Sequence, residues 1–61
     1  MNAREAIRKI ELDGWRFHSQ KGSHAQYKHP VKPGRVTVPM HGSADLRPDV
    51  VHSILKQAGL K

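Results

Sequence analysis

Apolar residues recur at helical spacing in the first dozen positions, alternate with polar ones through the middle, and return to helical spacing near the end. Ala3, Ala6, Ile7 and Ile10 form one stripe with Arg4, Arg8 and Glu11 off it, which predicts an amphipathic helix over residues 2–13. Asn2 suits the N-cap, Glu5 completes a capping box, and Gly14 supplies the stop. Two alternating segments follow, 15–20 and 24–29, then a third over 35–38 that Pro39 ends, because proline has no N–H for a ladder. Residues 30–34, with two prolines and a glycine, read as a loop. A second helix is expected to start at Pro48, with Asp49 at its positive end, a Leu46–Val51 staple and Gly59 as its C-terminal cap. Its apolar stripe is Val50, Val51, Ile54, Leu55 and Ala58. The predicted class is α+β, in the order helix, three antiparallel strands, helix, within a single domain over residues 1–61.

The alternation also constrains the first hairpin. A two-residue Lys21-Gly22 turn would pair Phe17 with Gln26, mixing apolar and polar side chains on one face. A three-residue turn, Lys21-Gly22-Ser23, pairs Phe17 with Tyr27 and Ser19 with Ala25, with the glycine or its neighbour at positive φ. In that register Trp15, Phe17, Ala25, Tyr27, Val36 and Val38 face the helices. Arg16, His18, His24, Gln26, Lys28, Arg35 and Thr37 face outward. The three aromatics then read as core rather than as base-stacking platforms.

Charge gives the outer face its meaning. The chain has 61 residues, 11 Lys plus Arg against 5 Asp plus Glu, a formal charge of +6, five histidines and no cysteine. A polyanion or an acidic protein is the expected partner. The outer face gathers histidines, arginines and a lysine with no acid among them, which suits phosphate contact. Without cysteine the fold holds by packing alone, and thiolate metal sites are excluded. No signal-peptide pattern or bilayer-length apolar run is present, so a soluble, cytoplasmic protein is expected, with no membrane partner.

His24 is the sharpest candidate for chemistry. RNA carries its own nucleophile, the 2′-hydroxyl, so a ribonuclease needs only to move protons and offset charge. Imidazole titrates near neutral pH and can carry that proton. From the residues alone, a turn histidine is either such a carrier or an inert surface group. His18 is a second proton carrier, a phosphate contact or a solvated strand residue. His29, beside Pro30, reads as structural, His41 as a loop residue, and His52 as exposed on the second helix. No histidine pair has metal-ligand spacing on a helix, so neither metal nor cofactor is expected. Ser23 and His24 are adjacent on a strand and point apart, which disfavours a nucleophilic serine. The second helix start is a poor anion site, since Pro48 lacks an N–H and Asp49 repels phosphate.

Several runs together resemble a known family. Gly14-Trp15, Lys21-Gly22-Ser23-His24 with Tyr27 and His29-Pro30, Val36-Thr37-Val38-Pro39 before His41-Gly42, and Ile54-Leu55-Lys56-Gln57-Ala58-Gly59-Leu60 are similar to the HicA toxins of HicA/HicB toxin–antitoxin systems. The resemblance spans nearly the whole chain. It implies a double-stranded-RNA-binding-domain-like fold and an mRNA interferase, an endoribonuclease that halts growth by cutting mRNA. The family's catalytic histidine falls on His24, in a turn set by Gly22 and Ser23. The implied partner is a HicB-type antitoxin that masks the RNA-facing surface. Lys28, Arg35, Arg16 and Lys21 are the expected phosphate contacts. A non-catalytic RNA-binding module on the same face is the alternative, and a domain that only docks an acidic protein is a third reading.

Overall fold

The computed structural model describes residues 1–40 and 45–61, and the expected loop histidine at position 41 lies outside them. The elements run α1 (Ala3–Leu12), β1 (Arg16–Lys21), β2 (His24–Lys28), β3 (Val36–Pro39) and α2 (Pro48–Gln57). The strands form one antiparallel sheet in the order β1-β2-β3. This is the expected helix, three-stranded sheet, helix architecture.

Short-range chemistry sets the helix ends. The Asn2 side chain accepts from the Glu5 N–H at 2.9 Å, and Glu5 accepts from the Asn2 N–H at 3.1 Å, closing the capping box. Both helices end in a Schellman motif with glycine just past the cap. After α1, Trp15 and Gly14 donate to the carbonyls of Ile10 and Glu11; after α2, Leu60 and Gly59 donate to those of Leu55 and Lys56.

The core is Ala3, Ala6 and Ile10 of α1, Trp15, Ala25 and Tyr27, Val36 and Val38 of β3, Leu46, and Ile54 and Ala58 beside them. Trp15 is fully buried, and its indole N–H donates to the Ala58 carbonyl at 3.3 Å. The helices pack on each other and on β3, and β1 meets them chiefly at its Arg16 end, where the side chain reaches the Glu11 carbonyl. Phe17 was expected in the core, but it is 57% exposed. It faces the helix side as the partner of Tyr27, with the two rings edge-to-face at 5.9 Å, yet most of it stays open to solvent.

The first hairpin departs from its expected register in an instructive way. Phe17 does pair with Tyr27, and Arg16 with Lys28. Past a bulge at His18 the pairs become Ser19–Gln26, Gln20–Ala25 and Lys21–His24, so the turn is the two residues Gly22-Ser23. Neither the three-residue turn nor the Ser19–Ala25 pair forms. Gly22 has φ +59°, and no described non-glycine residue has positive φ, which is the type II′ pattern favoured by the twist of a hairpin. The extra residue at His18 reconciles that tight turn with the aromatic pair below it.

An ionic strap joins three segments. Lys32, in the β2–β3 loop, donates from Nζ to Asp13 Oδ2 at the end of α1 and to the Ala58 carbonyl at the end of α2 (3.1 Å). The hydrogen bond from Lys32 holds the Asp13 carboxyl below its ordinary value, against a smaller opposing effect of desolvation. A depressed carboxylate stabilises the fold above its unfolded-state pKa, and that contribution disappears as pH falls through the folded value. The melting temperature is therefore expected to drop once pH falls below about 4. Asp13→Asn should start lower at neutral pH and flatten that limb of the curve, as thermal melts across pH 2–7 will show.

Candidate functional site

The tight turn puts His24 at the first position of β2, flanked by Lys21 on β1 and Pro39 on β3. Two contacts brace it. Gln20 Nε2 donates to the Gly22 carbonyl at 3.1 Å, and the Met40 N–H donates to the Ser23 carbonyl at 2.6 Å. Since Ala25 next to it is buried, alternation turns His24 to the outer face, where it is exposed. Among the described residues its ring makes no hydrogen bond, so the imidazole is available to a ligand.

His24 stands at one side of an open cleft of about 310 Å³. Thr37 and Pro39 of β3 form its floor, and α2 supplies the opposite wall with Asp49, Ser53 and Gln57, one turn apart each. Gln57 also explains why α2 lies there. Its Oε1 accepts from the Thr37 N–H at 3.1 Å, satisfying a backbone donor on the outer edge of the sheet. The Thr37 hydroxyl in turn donates to Gln26 Oε1 at 2.9 Å.

The other expected site residues divide into two groups. Lys21 lies directly across from His24. Lys28 shares the outer face, but four residues along β2, roughly 13 Å away at ordinary strand rise. Arg16 pairs with Lys28, and its Nη1 donates to the carbonyls of Glu11 (3.0 Å) and Trp15 (2.9 Å), so part of its hydrogen-bonding capacity is spent on α1. Arg35 was expected in the third strand; it is exposed and precedes β3, next to the Val36–Tyr27 pair. Arg16, Lys28 and Arg35 thus mark the end of the sheet away from His24. His18 sits at the bulge of β1, across β2 from the cleft, and does not line it.

His29 has a structural post. Its Nδ1 accepts from the N–H groups of Val31 and Lys32, both at 3.0 Å, which leaves the proton on Nε2 to be donated to the Asp13 carbonyl at 2.8 Å. The ring meets Trp15 edge-on at 5.2 Å. His52 is exposed, with Nδ1 3.0 Å from Lys61 Nζ.

Asp49, Ser53 and Gln57 are cleft residues that the sequence reading passed over. The signal available was their i, i+4, i+8 spacing, a polar stripe beside the apolar one on α2.

The chain as a whole has a recognisable counterpart. Residues 3–60 match the family model described as the HicA toxin of bacterial toxin–antitoxin systems, so the chain belongs to the HicA toxin family. No curated protein matches it. Among the described residues, no helix is long and apolar enough to cross a membrane.

Proposed function

We propose that this HicA-family chain is a metal-independent endoribonuclease, an mRNA interferase whose catalytic group is His24 and which a HicB-type antitoxin neutralises. The observation that carries the reading is the exposed imidazole, without a hydrogen-bond partner among the described residues, opposite Lys21 and lining an open cleft. The substrate is single-stranded or weakly structured mRNA in the cytoplasm.

In the proposed reaction His24 accepts the 2′-hydroxyl proton as that oxygen attacks the adjacent phosphorus. The bond from phosphorus to the 5′-oxygen breaks, and that oxygen takes a proton from water, to which His24 later returns the one it accepted. Lys21 offsets the charge that builds on the phosphate in the transition state. Arg16, Lys28 and Arg35, at the far end of the sheet, hold flanking phosphates and fix the register of the strand. Gly22 and Ser23 aim the histidine. One positioned proton carrier contributes about 10²–10⁴-fold, so this is a slow enzyme suited to a poison that a partner must restrain. The formal charge of +6 favours fast capture by an acidic antitoxin surface competing with RNA.

Purified protein should cut a single-stranded transcript at an unchanged rate after exhaustive treatment with EDTA. Abolition by the chelator and restoration by a divalent cation would refute the proton-transfer mechanism.

A further inference from the structure

A carboxylate beside the proposed phosphate path needs a reason. Asp49 is one of only five acidic residues in the chain, and it lines the His24 cleft. Its partner Arg47 (Nε to Oδ1, 3.3 Å) offsets part of the charge, while the side chain remains 69% exposed and accessible to a ligand.

The hydrogen bonds of the α2 wall determine what it offers. The Thr37 N–H can only donate, so the Gln57 oxygen must face it and the Gln57 nitrogen must face Ser53. Gln57 Nε2 indeed donates to Ser53 Oγ at 3.2 Å. Ser53 therefore accepts from Gln57 and keeps its own hydrogen, which no described residue receives. Among the described residues the wall then presents an acceptor-only group, the Asp49 carboxylate, next to a donor, the Ser53 hydroxyl, with the second Gln57 Nε2 hydrogen one turn further on. At i, i+4 spacing the Asp49 and Ser53 Cβ atoms stand about 5–6 Å apart, the width of a base edge. Pro39 and Val50 supply apolar surface for the flat faces of a ring.

We infer that this wall is a guanine-reading subsite, with Asp49 accepting from N1–H and the N2 amino group while Ser53 donates to O6. Guanine alone has two adjacent donors followed by an acceptor on its Watson–Crick edge. Adenine, cytosine and uracil each offer the carboxylate one donor beside an acceptor, which the carboxylate repels. The inference rests on the cleavage reading above and adds the base preference to it.

Cut sites mapped on a random-sequence single-stranded RNA should show guanine enriched about tenfold or more at one fixed position beside the cut. Inosine at that position, lacking only the N2 amino group, should lower kcat/KM by roughly tenfold, whereas 7-deazaguanine, with its Watson–Crick edge intact, should leave it unchanged. Asp49→Asn should flatten the ranking of the four bases; the inosine result needs no protein variant and so does not depend on how that variant folds. Cleavage without enrichment, or Asp49→Asn slowing all four bases equally, would overturn the guanine subsite while leaving the ribonuclease standing. RNA left intact by the wild-type protein at every sequence would overturn both.

Discussion

Replacing His24 with alanine is expected to lower the rate constant for RNA cleavage by about 10²–10⁴-fold and to abolish growth arrest on expression. The fold should hardly notice. The ring is exposed and has no hydrogen-bond partner among the described residues, so the stability change should stay within about 0.5 kcal/mol. Binding should hold as well, because the phosphate contacts assigned to Lys21, Lys28, Arg16 and Arg35 remain. The signature is thus a collapse of kcat with KM nearly constant, the pattern of an interaction made only in the transition state. The competing classes give different results in the same assays. A non-catalytic RNA-binding module would bind with strong salt dependence and cut nothing in either form. A domain that only docks an acidic protein would show no salt-dependent RNA affinity. Wild-type cleavage rates in the purified His24→Ala protein would remove the histidine from the mechanism.

The contrast between what was legible in the chain and what was not follows the range of the interactions. Helix ends were legible because their determinants lie within a few residues: the Asn2–Glu5 box, and Gly14 and Gly59 past the two C-caps. The place of His24 on the outer face was legible from its alternation with buried Ala25 and Tyr27. The hairpin register was only half legible. Below the bulge Phe17 and Tyr27 fix the pairing, but β1 carries no apolar residue after Phe17, so nothing in its pattern reports the shift at His18. The turn itself followed the local preference for glycine at the first of two central positions, and the bulge absorbed the conflict. Phe17 was misassigned to the core for a global reason: the helices pack chiefly on β3 and leave more than half of Phe17 on β1 open. The cleft wall was missed for the same kind of reason. Asp49, Ser53 and Gln57 read as a solvated helix stripe until the edge of β3, through the Thr37 N–H, brings α2 against the His24 side of the sheet.

Gly14→Ala is expected to be the most damaging glycine-to-alanine change among the described residues. Gly14 sits at φ +111°, and a Cβ there would lie 2.7 Å from His29 Nε2. Two penalties add. An L-residue at positive φ costs roughly 1–2 kcal/mol. The methyl must also push the imidazole off its post, and that ring holds three hydrogen bonds, with the Asp13 carbonyl and the Val31 and Lys32 N–H groups. At about 0.5–1.5 kcal/mol each, losing even two brings the total near 3 kcal/mol. A chain of this size has only about 3–9 kcal/mol of stability in all. The melting temperature should fall by about 12–24 °C, or the protein should not fold cooperatively. Gly22→Ala isolates the backbone penalty, because Gly22 also has positive φ (+59°) but, its chain neighbours aside, no described residue within 4 Å of its would-be Cβ. It should lose only about 1–2 kcal/mol, yet disturb cleavage by re-aiming His24. Near-ultraviolet circular dichroism of Trp15, which packs on His29, reports the Gly14 effect directly. Equal melting shifts for the two variants would show that the His29 ring yields without cost, and that the Gly14–His29 contact does not anchor the fold.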